Sequence, residues 1–144
     1  MFELTESATI ADLDQTNVVI QSLRKNGFRI CLDDFGAGES AFHYLRALDV
    51  DMVKIDGSYV RDALAKSKDR CFLKSIAGLC NDLKISTIAE MIEQEKTIEL
   101  LRSCGVRFGQ GYLFGRPSLD ITSFDTRRSE GPPAVVPRWK QARR

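Results

Sequence analysis

Apolar and polar positions follow two periods in turn along the chain. FELT, from Phe2 to Thr5, is a short extended run. Between Asp12 and Asn26 apolar residues recur at Val19, Ile20 and Leu23, and the segment stops at Gly27, a residue suited to the left-handed end of a helix. FRICLDDF, from Phe28 to Phe35, is almost continuously apolar and predicts a buried strand with two acids at its carboxyl end. Ser40 to Leu48 predicts a short helix after a Gly-rich turn. DMVKID (51–56) predicts a strand, and Tyr59 to Leu83 a helical stretch with a polar break at SKDR (67–70). Its second half sets Phe72, Leu73, Ile76, Leu79 and Cys80 on one face. KISTIAE (84–90) predicts a further strand, Gln94 to Cys104 a helix ended by Gly105, and VRFGQG (106–111) a fifth strand.

Strands and helices thus alternate five times, which implies parallel strands joined by right-handed crossovers. The fold class is α/β, either a flat doubly wound sheet or a barrel or part of one. Length enters here. A complete eight-stranded barrel takes about 250 residues, and this chain has 144.

Composition narrows the partners. Twenty-one Lys and Arg stand against 20 Asp and Glu, so the formal charge of +1 gives no reason to expect DNA or a membrane surface. No apolar run approaches the ~20 residues of a membrane span, and the N-terminus lacks a signal-peptide layout. The four cysteines (Cys31, Cys71, Cys80, Cys104) form no CxxC pair and lie in apolar periodic segments. They read as buried reduced thiols of a cytoplasmic protein rather than a disulfide or metal set. The charge is uneven, with six basic residues and one acid, Glu130, between Arg127 and Arg144. All four prolines lie after residue 116. Residues 1–120 therefore read as the folded part, and 121–144 as a basic, Pro-containing, disordered tail. A basic arm around Trp139 that touches nucleic acid or lipid is the functional alternative.

The polar residues at the carboxyl ends of the strands carry the candidate chemistry, because parallel α/β folds open their sites on that side. Glu3 lies in the first strand, Asp33 and Asp34 end the second, Lys54 and Asp56 the third, Glu90 the fourth and Gln110 the fifth. Any one of these could be a cap or turn residue. In series they place several acids, a lysine and an amide around one mouth. Crowded carboxylates repel one another unless a cation neutralises them, and oxygen ligands without a Cys/His set suit Mg²⁺ or Mn²⁺ rather than zinc. A carboxylate shared by two such ions, with a lysine beside it, suits in-line attack of water on a phosphodiester. His43 is the sole histidine, so histidine-based nucleophilic catalysis has little material, and His43 reads as a surface or packing residue.

LDDFGAGESAFHYL resembles the DDFGTGYSSL loop of EAL-domain proteins, bacterial phosphodiesterases that linearise cyclic di-GMP. VKIDGSYV is similar to their VKIDrsFV strand, AEMIE to AEGVE, QGYLFGRP to QGYlfgrP, and ELTES to ELTES. Five motifs in the family's order run from Glu3 to Pro117. The resemblance implies a partial TIM-type (β/α) barrel of about five parallel strand-helix units. It implies that Glu3 and Asp33 bind a first metal and Asp34 a second. Lys54 matches the lysine near the attacking water and phosphate, Glu90 a catalytic glutamate, and Gln110 a glutamine of the metal and water network. Glu6 matches a glutamate that supports the loop after the acid pair, and Arg116 and Pro117 match a segment near a guanine of the ligand.

The departures also bear on function. Ala37, Glu39, Ala41 and Phe42 replace the family's usual loop residues, which puts the loop's coupling to dimerisation in doubt, and Met91 and Ile92 replace Gly and Val beside Glu90. Met91 reads as barrel packing rather than a functional block. The Glu-Ala-Leu strand and the metal-binding Asn that follows it are absent upstream of Glu3. The expected function is therefore that of a cyclic di-GMP phosphodiesterase fragment, inactive or weakly active alone. The alternatives are an inactive cyclic di-GMP-binding or protein-interaction module and a fragment of a decaying gene. Open sheet edges predict a homodimer or a missing N-terminal segment as partner.

Overall fold

The computed structural model describes residues 1–5, 10–36, 41–117 and 119. Five strands and five helices follow one another: β1 (Phe2–Thr5), α1 (Leu13–Lys25), β2 (Ile30–Phe35), α2 (Ala41–Ala47), β3 (Met52–Ile55), α3 (Gly57–Ala65), α4 (Ser67–Asp82), β4 (Ser86–Ala89), α5 (Glu95–Ser103) and β5 (Phe108–Gly109). All four pairings are parallel and the strand order is sequential, β1-β2-β3-β4-β5. The sheet does not close among the described residues; β1 and β5 are its edges. The predicted tail, 121–144, and Glu6, expected to support the loop after the acid pair, lie outside the described residues.

Three helices hand over to their strands through the same device. After α1, the Gly27 N–H donates to the Arg24 carbonyl at 3.0 Å and the Phe28 N–H to that of Leu23 at 3.2 Å. This is the Schellman arrangement, with Gly27 left-handed at φ 84. Gly105 and Val106 repeat it after α5, bonding to Arg102 and Leu101 at 3.0 Å each. Lys84 and Ile85 repeat it after α4, although Lys84 carries a full side chain at φ 62. The cap explains why β2 starts at Ile30 rather than at Phe28, as the apolar run predicts. The Phe28 N–H is already spent on the helix.

Other boundaries also differ from the sequence reading. The helical stretch breaks at Lys66 alone, which is extended (φ −128, ψ 130) and ends α3 while it opens α4. SKDR is therefore the first turn of α4, not a break. On α4 the buried residues are Leu73, Ile76, Ala77 and Cys80, whereas Phe72 and Leu79 are exposed. Val19 on α1 is likewise exposed, leaving Ile20 as the buried anchor. The expectation of four buried thiols holds for three. Cys31, Cys80 and Cys104 are buried and Cys71 is exposed, all of them free.

The two faces of the sheet differ in content. Ile30, Leu32, Val53, Ile55 and Ala89 point toward the helices and pack with Ile20, Leu45, Val60, Leu73, Ile76 and Leu101 in the main core. Cys31, Met52 and Ile88 form a smaller buried cluster on the other face, with Phe108 against it. In register, Glu3 pairs with Cys31, Cys31 with Met52, and Ile88 with Phe108. Alternation along each strand then puts Asp33, Lys54 and Glu90 one step above this apolar floor, toward the carboxyl ends.

Candidate active site

The alternation of a regular strand would send Asp33 and Asp34 to opposite faces. β2 escapes it. Leu32 is in register with Val53 and Phe35 with Ile55, so three residue steps of β2 span two of β3. The extra residue is a bulge, and Asp34 takes it up in a left-handed conformation, φ 55. Asp tolerates this region better than most side chains, because its short polar group can bond locally. Leu32 and Phe35 thereby both reach the helix-facing core, and both carboxylates turn to the same mouth. The Asp34 N–H donates to Asp33 Oδ1 at 3.0 Å.

Lys54, contributed by β3, stands at the centre. Its Nζ lies 2.8 Å from Asp33 Oδ1, 2.9 Å from Glu90 Oε1 and 3.7 Å from Glu3 Oε2. The lysine side chain is 9% exposed and those of Asp33 and Glu90 15% each. Burial by itself disfavours the ammonium, yet the hydrogen bonds and charges of Asp33 and Glu90 outweigh it and raise the Lys54 pKa above its ordinary value. Lys54 is thus a fixed cation. Glu90 moves the other way from a typical paired acid. Burial raises its pKa, reinforced by the charges of Asp33 and Asp34, and the Lys54 contact offsets this only in part. Below them the Cys31 thiol is pushed up to about 12, first by burial and then by the charge of Glu3, so it stays protonated.

Asp33, Asp34 and Glu90 each offer a carboxylate oxygen, and these oxygens lie within 4.8 Å of one another. The donor set is all oxygen and half-buried. With Glu3, four carboxylates face one ammonium. A hard divalent cation fits such a set: it takes oxygen ligands and removes the repulsion that Lys54 leaves uncompensated.

The remaining candidates fall at different distances from this centre. Gln110 follows β5 and its backbone is held, with its N–H bonded to the Ala89 carbonyl at 2.8 Å and its carbonyl accepting from the Ile92 N–H at 3.0 Å. Its side chain is exposed and bonds to none of the cluster residues. The Arg116 guanidinium lies over the Tyr112 ring, 4.5 Å from its centroid. Arg116 and Pro117 are both exposed. Asp56, another acid at a strand end, is committed elsewhere: it caps α3, accepting from the Ser58 N–H at 2.9 Å. His43 is exposed. The residues that sequence reasoning did not weigh as a pair are Gly57 and Met91, which are in contact beside Glu90.

The family model described as "EAL domain" matches residues 1–117. The chain belongs to the EAL domain family. The cyclic di-GMP phosphodiesterase PdeB of Shewanella oneidensis is 41% identical over 116 residues, 81% of this chain and 14% of that protein. The cyclic di-GMP phosphodiesterase PdeF of Escherichia coli is 36% identical over 117 residues, again 81% of this chain and 16% of the relative. The chain therefore spans only a small part of the curated relatives it matches. Among solved structures, the EAL domain of Mycobacterium smegmatis DcpA superposes with a TM-score of 0.81 at 29% identity, over 94% of this chain and 59% of that one. Klebsiella pneumoniae BlrP1, solved as a complex with manganese and cyclic di-GMP, gives 0.73 at 36% identity over 80% and 29%. The open five-stranded sheet of this EAL chain is thus part of the TIM-barrel-like architecture of its neighbours.

Proposed function

We propose that the mouth formed by β1 to β4 is part of the active site of a metal-dependent cyclic di-GMP phosphodiesterase. Its reaction would open cyclic di-GMP to linear pGpG by water attack on a phosphodiester. The observation that carries this reading is the Lys54 ammonium gripped by Asp33 and Glu90, with Asp34 brought alongside by the bulge. Asp33, Asp34 and Glu90, with Glu3 at the rim, are the residues to hold Mg²⁺ or Mn²⁺. When bound, the metal supplies positive charge to the phosphodiester and acidifies the attacking water. Lys54 keeps its proton and offers a permanent positive charge to a phosphoryl oxygen. Glu90, whose proton affinity burial has raised, is the better placed of the acids to accept the proton of water. Gln110, just after β5, would serve the metal and water network, and Arg116 and Pro117 would meet the ligand's purine end. The free buried thiols accord with a reducing, cytoplasmic setting, and no helix among the described residues is long and apolar enough to cross a membrane.

The sheet as described surrounds the site on one side only, so the 144-residue polypeptide alone is expected to turn over little. Purified chain, Mn²⁺ and cyclic di-GMP, with pGpG read by chromatography, test this. The expected rate is at least about 100-fold below that of a closed EAL barrel, the scale of loss when catalytic groups are missing or misplaced. Mn²⁺ binding by equilibrium dialysis should persist and be lost in Asp33→Asn and Asp34→Asn. Robust pGpG production would overturn the expected weakness, and a chain that binds no Mn²⁺ would overturn the metal reading.

A further inference from the structure

β4 ends at Ala89, and Glu90 and Met91 carry the chain across the mouth. Met91 is left-handed, φ 54, in a region that long side chains without a local polar partner rarely enter. Hydrophobic burial does not hold it there, since the residue is 60% exposed. What its side chain covers is Gly57, the buried first residue of α3. A Cβ placed on Gly57 would lie 2.5 Å from Met91 Sδ and 2.6 Å from both Met91 Cβ and Cγ. A swing of the thioether could relieve the first contact. Rotation about χ1 could relieve the Cγ contact as well, but Cβ is fixed to the main chain, so the Met91 backbone itself would have to move.

Neither partner is free to yield. The Glu90 N–H donates to the Ile55 carbonyl at 3.2 Å and the Ile92 N–H to that of Gln110 at 3.0 Å, so Met91 is pinned on both sides. On the other strand end, the Asp56 N–H bonds to the Phe35 carbonyl at 3.3 Å and the Asp56 side chain caps α3, which fixes Gly57. Clearance at Gly57 and the direction of Glu90 are then one geometric condition. We propose that Gly57 and Met91 are a size-matched positioning pair: the missing side chain at 57 makes room for Met91, and the seated Met91 sets the backbone from which Glu90 reaches Lys54. The assignment rests on the reading of Glu90 as a member of the site.

The full chain and its variants Gly57→Ala, Met91→Gly and the double variant, each also combined with Glu90→Gln, test the pair. The metal-free readout is the ¹H–¹⁵N amide signals of Glu90 and Ile92; the second is Mn²⁺ affinity from the EPR signal of the free ion. Gly57→Ala should shift both amides and weaken Mn²⁺ binding about tenfold, the lower end of the effect of losing a support to a metal ligand. Adding Met91→Gly should return the amides toward the Met91→Gly positions and restore affinity to within about twofold of that variant. In the Glu90→Gln background Gly57→Ala should leave residual Mn²⁺ binding unchanged. Unmoved amides in Gly57→Ala, or no recovery in the double variant, would overturn the pairing. Equal weakening with and without Glu90 would reduce it to packing alone. If Gly57→Ala fails to fold, the expected result is a native spectrum in the double variant, and its absence overturns the proposal. A wild-type chain that binds no Mn²⁺ would fail the metal reading, while the amides still decide the pair.

Discussion

At the amino ends of the strands, Asp51 accepts from the Ile30 N–H at 2.9 Å and pairs with Arg24 at 3.0 Å. Beside it Asp49 takes hydrogen bonds from Gln21 at 2.8 Å and Asn17 at 3.1 Å. At the carboxyl ends, Lys54 is shared among Asp33, Glu90 and Glu3 while Asp34 looks on. Both clusters set acids against one cation. The first is solvated and its acids find neutral donors; its left-handed residues, Gly27, Lys84 and Gly105, cap helices. The second is half-buried and over-supplied with acid; of its left-handed residues, Asp34 brings its carboxylate into the cluster and Met91 seats its side chain over Gly57 beside Glu90. One end lowers the energy of the fold, and the other holds a charge imbalance that a ligand can relieve.

Removing the cation from each end should separate them most sharply. Lys54→Met leaves buried carboxylates unpaired and should cost about 3–5 kcal/mol, whereas Arg24→Ala breaks a solvated pair and should cost about 1 kcal/mol or less. Urea unfolding of the metal-free chains reads the difference. Equal costs would mean that the carboxyl-end cluster is as well solvated as the other.

Cation addition is the next test. Mn²⁺ at 100 times its Kd should stabilise the chain by about 2.7 kcal/mol. Asp33→Asn or Asp34→Asn should abolish the gain, and Asp49→Asn or Asp51→Asn should leave it intact. Thermal melts with and without the ion suffice.

The acids should also answer oppositely to neutralisation. Glu90→Gln removes a carboxylate whose charged form the fold disfavours, and should raise metal-free stability by on the order of 1 kcal/mol, a few degrees in Tm. Asp49→Asn should cost a few tenths of a kcal/mol. The pH dependence carries the same signs. Glu90 has a raised folded pKa, so the native state binds the extra proton between the ordinary glutamate value and the raised one. Stability therefore grows as pH falls through that window. Asp49, lowered first by its hydrogen bond from Gln21, contributes above the ordinary aspartate value and loses that contribution as pH falls through its folded pKa. Melts of wild type and each variant between about pH 3 and 7 should show the two slopes vanish separately.

The last test lies at the amino end, in a helix cap. Lys84→Gly relieves a left-handed lysine in the cap of α4 and should add about 1 kcal/mol. No gain would show that the lysine stem packs well enough to offset the strain.

Much of this contrast is legible in the order of residues alone. The alternation of periods and the caps at Gly27 and Gly105 locate the parallel strands, and acids at successive strand ends locate the mouth. Period alone cannot show that Asp33 and Asp34 share a face, because a regular strand separates neighbours; the bulge depends on how β2 meets β3. Nor can it show the cap at Lys84, which lacks the glycine that marks its two equivalents. Phe72 and Leu79 satisfy the helical period of α4 yet stand outside, since α3 and the sheet cover only the stripe through Leu73, Ile76 and Cys80. The Gly57 and Met91 contact joins residues 34 positions apart, and no local pattern records it.

The sequential strand order has a consequence for the nascent chain. Each strand pairs with the one synthesised before it, so the mouth can be assembled as the ribosome delivers it. Lys54 meets Asp33 as soon as β3 docks on β2, while Glu90 follows 36 residues later. At ordinary elongation speeds that is an interval of about 2–7 s. During it the lysine already has Asp33 close by and Glu3 farther off, and Glu90, which raises its proton affinity further, arrives last.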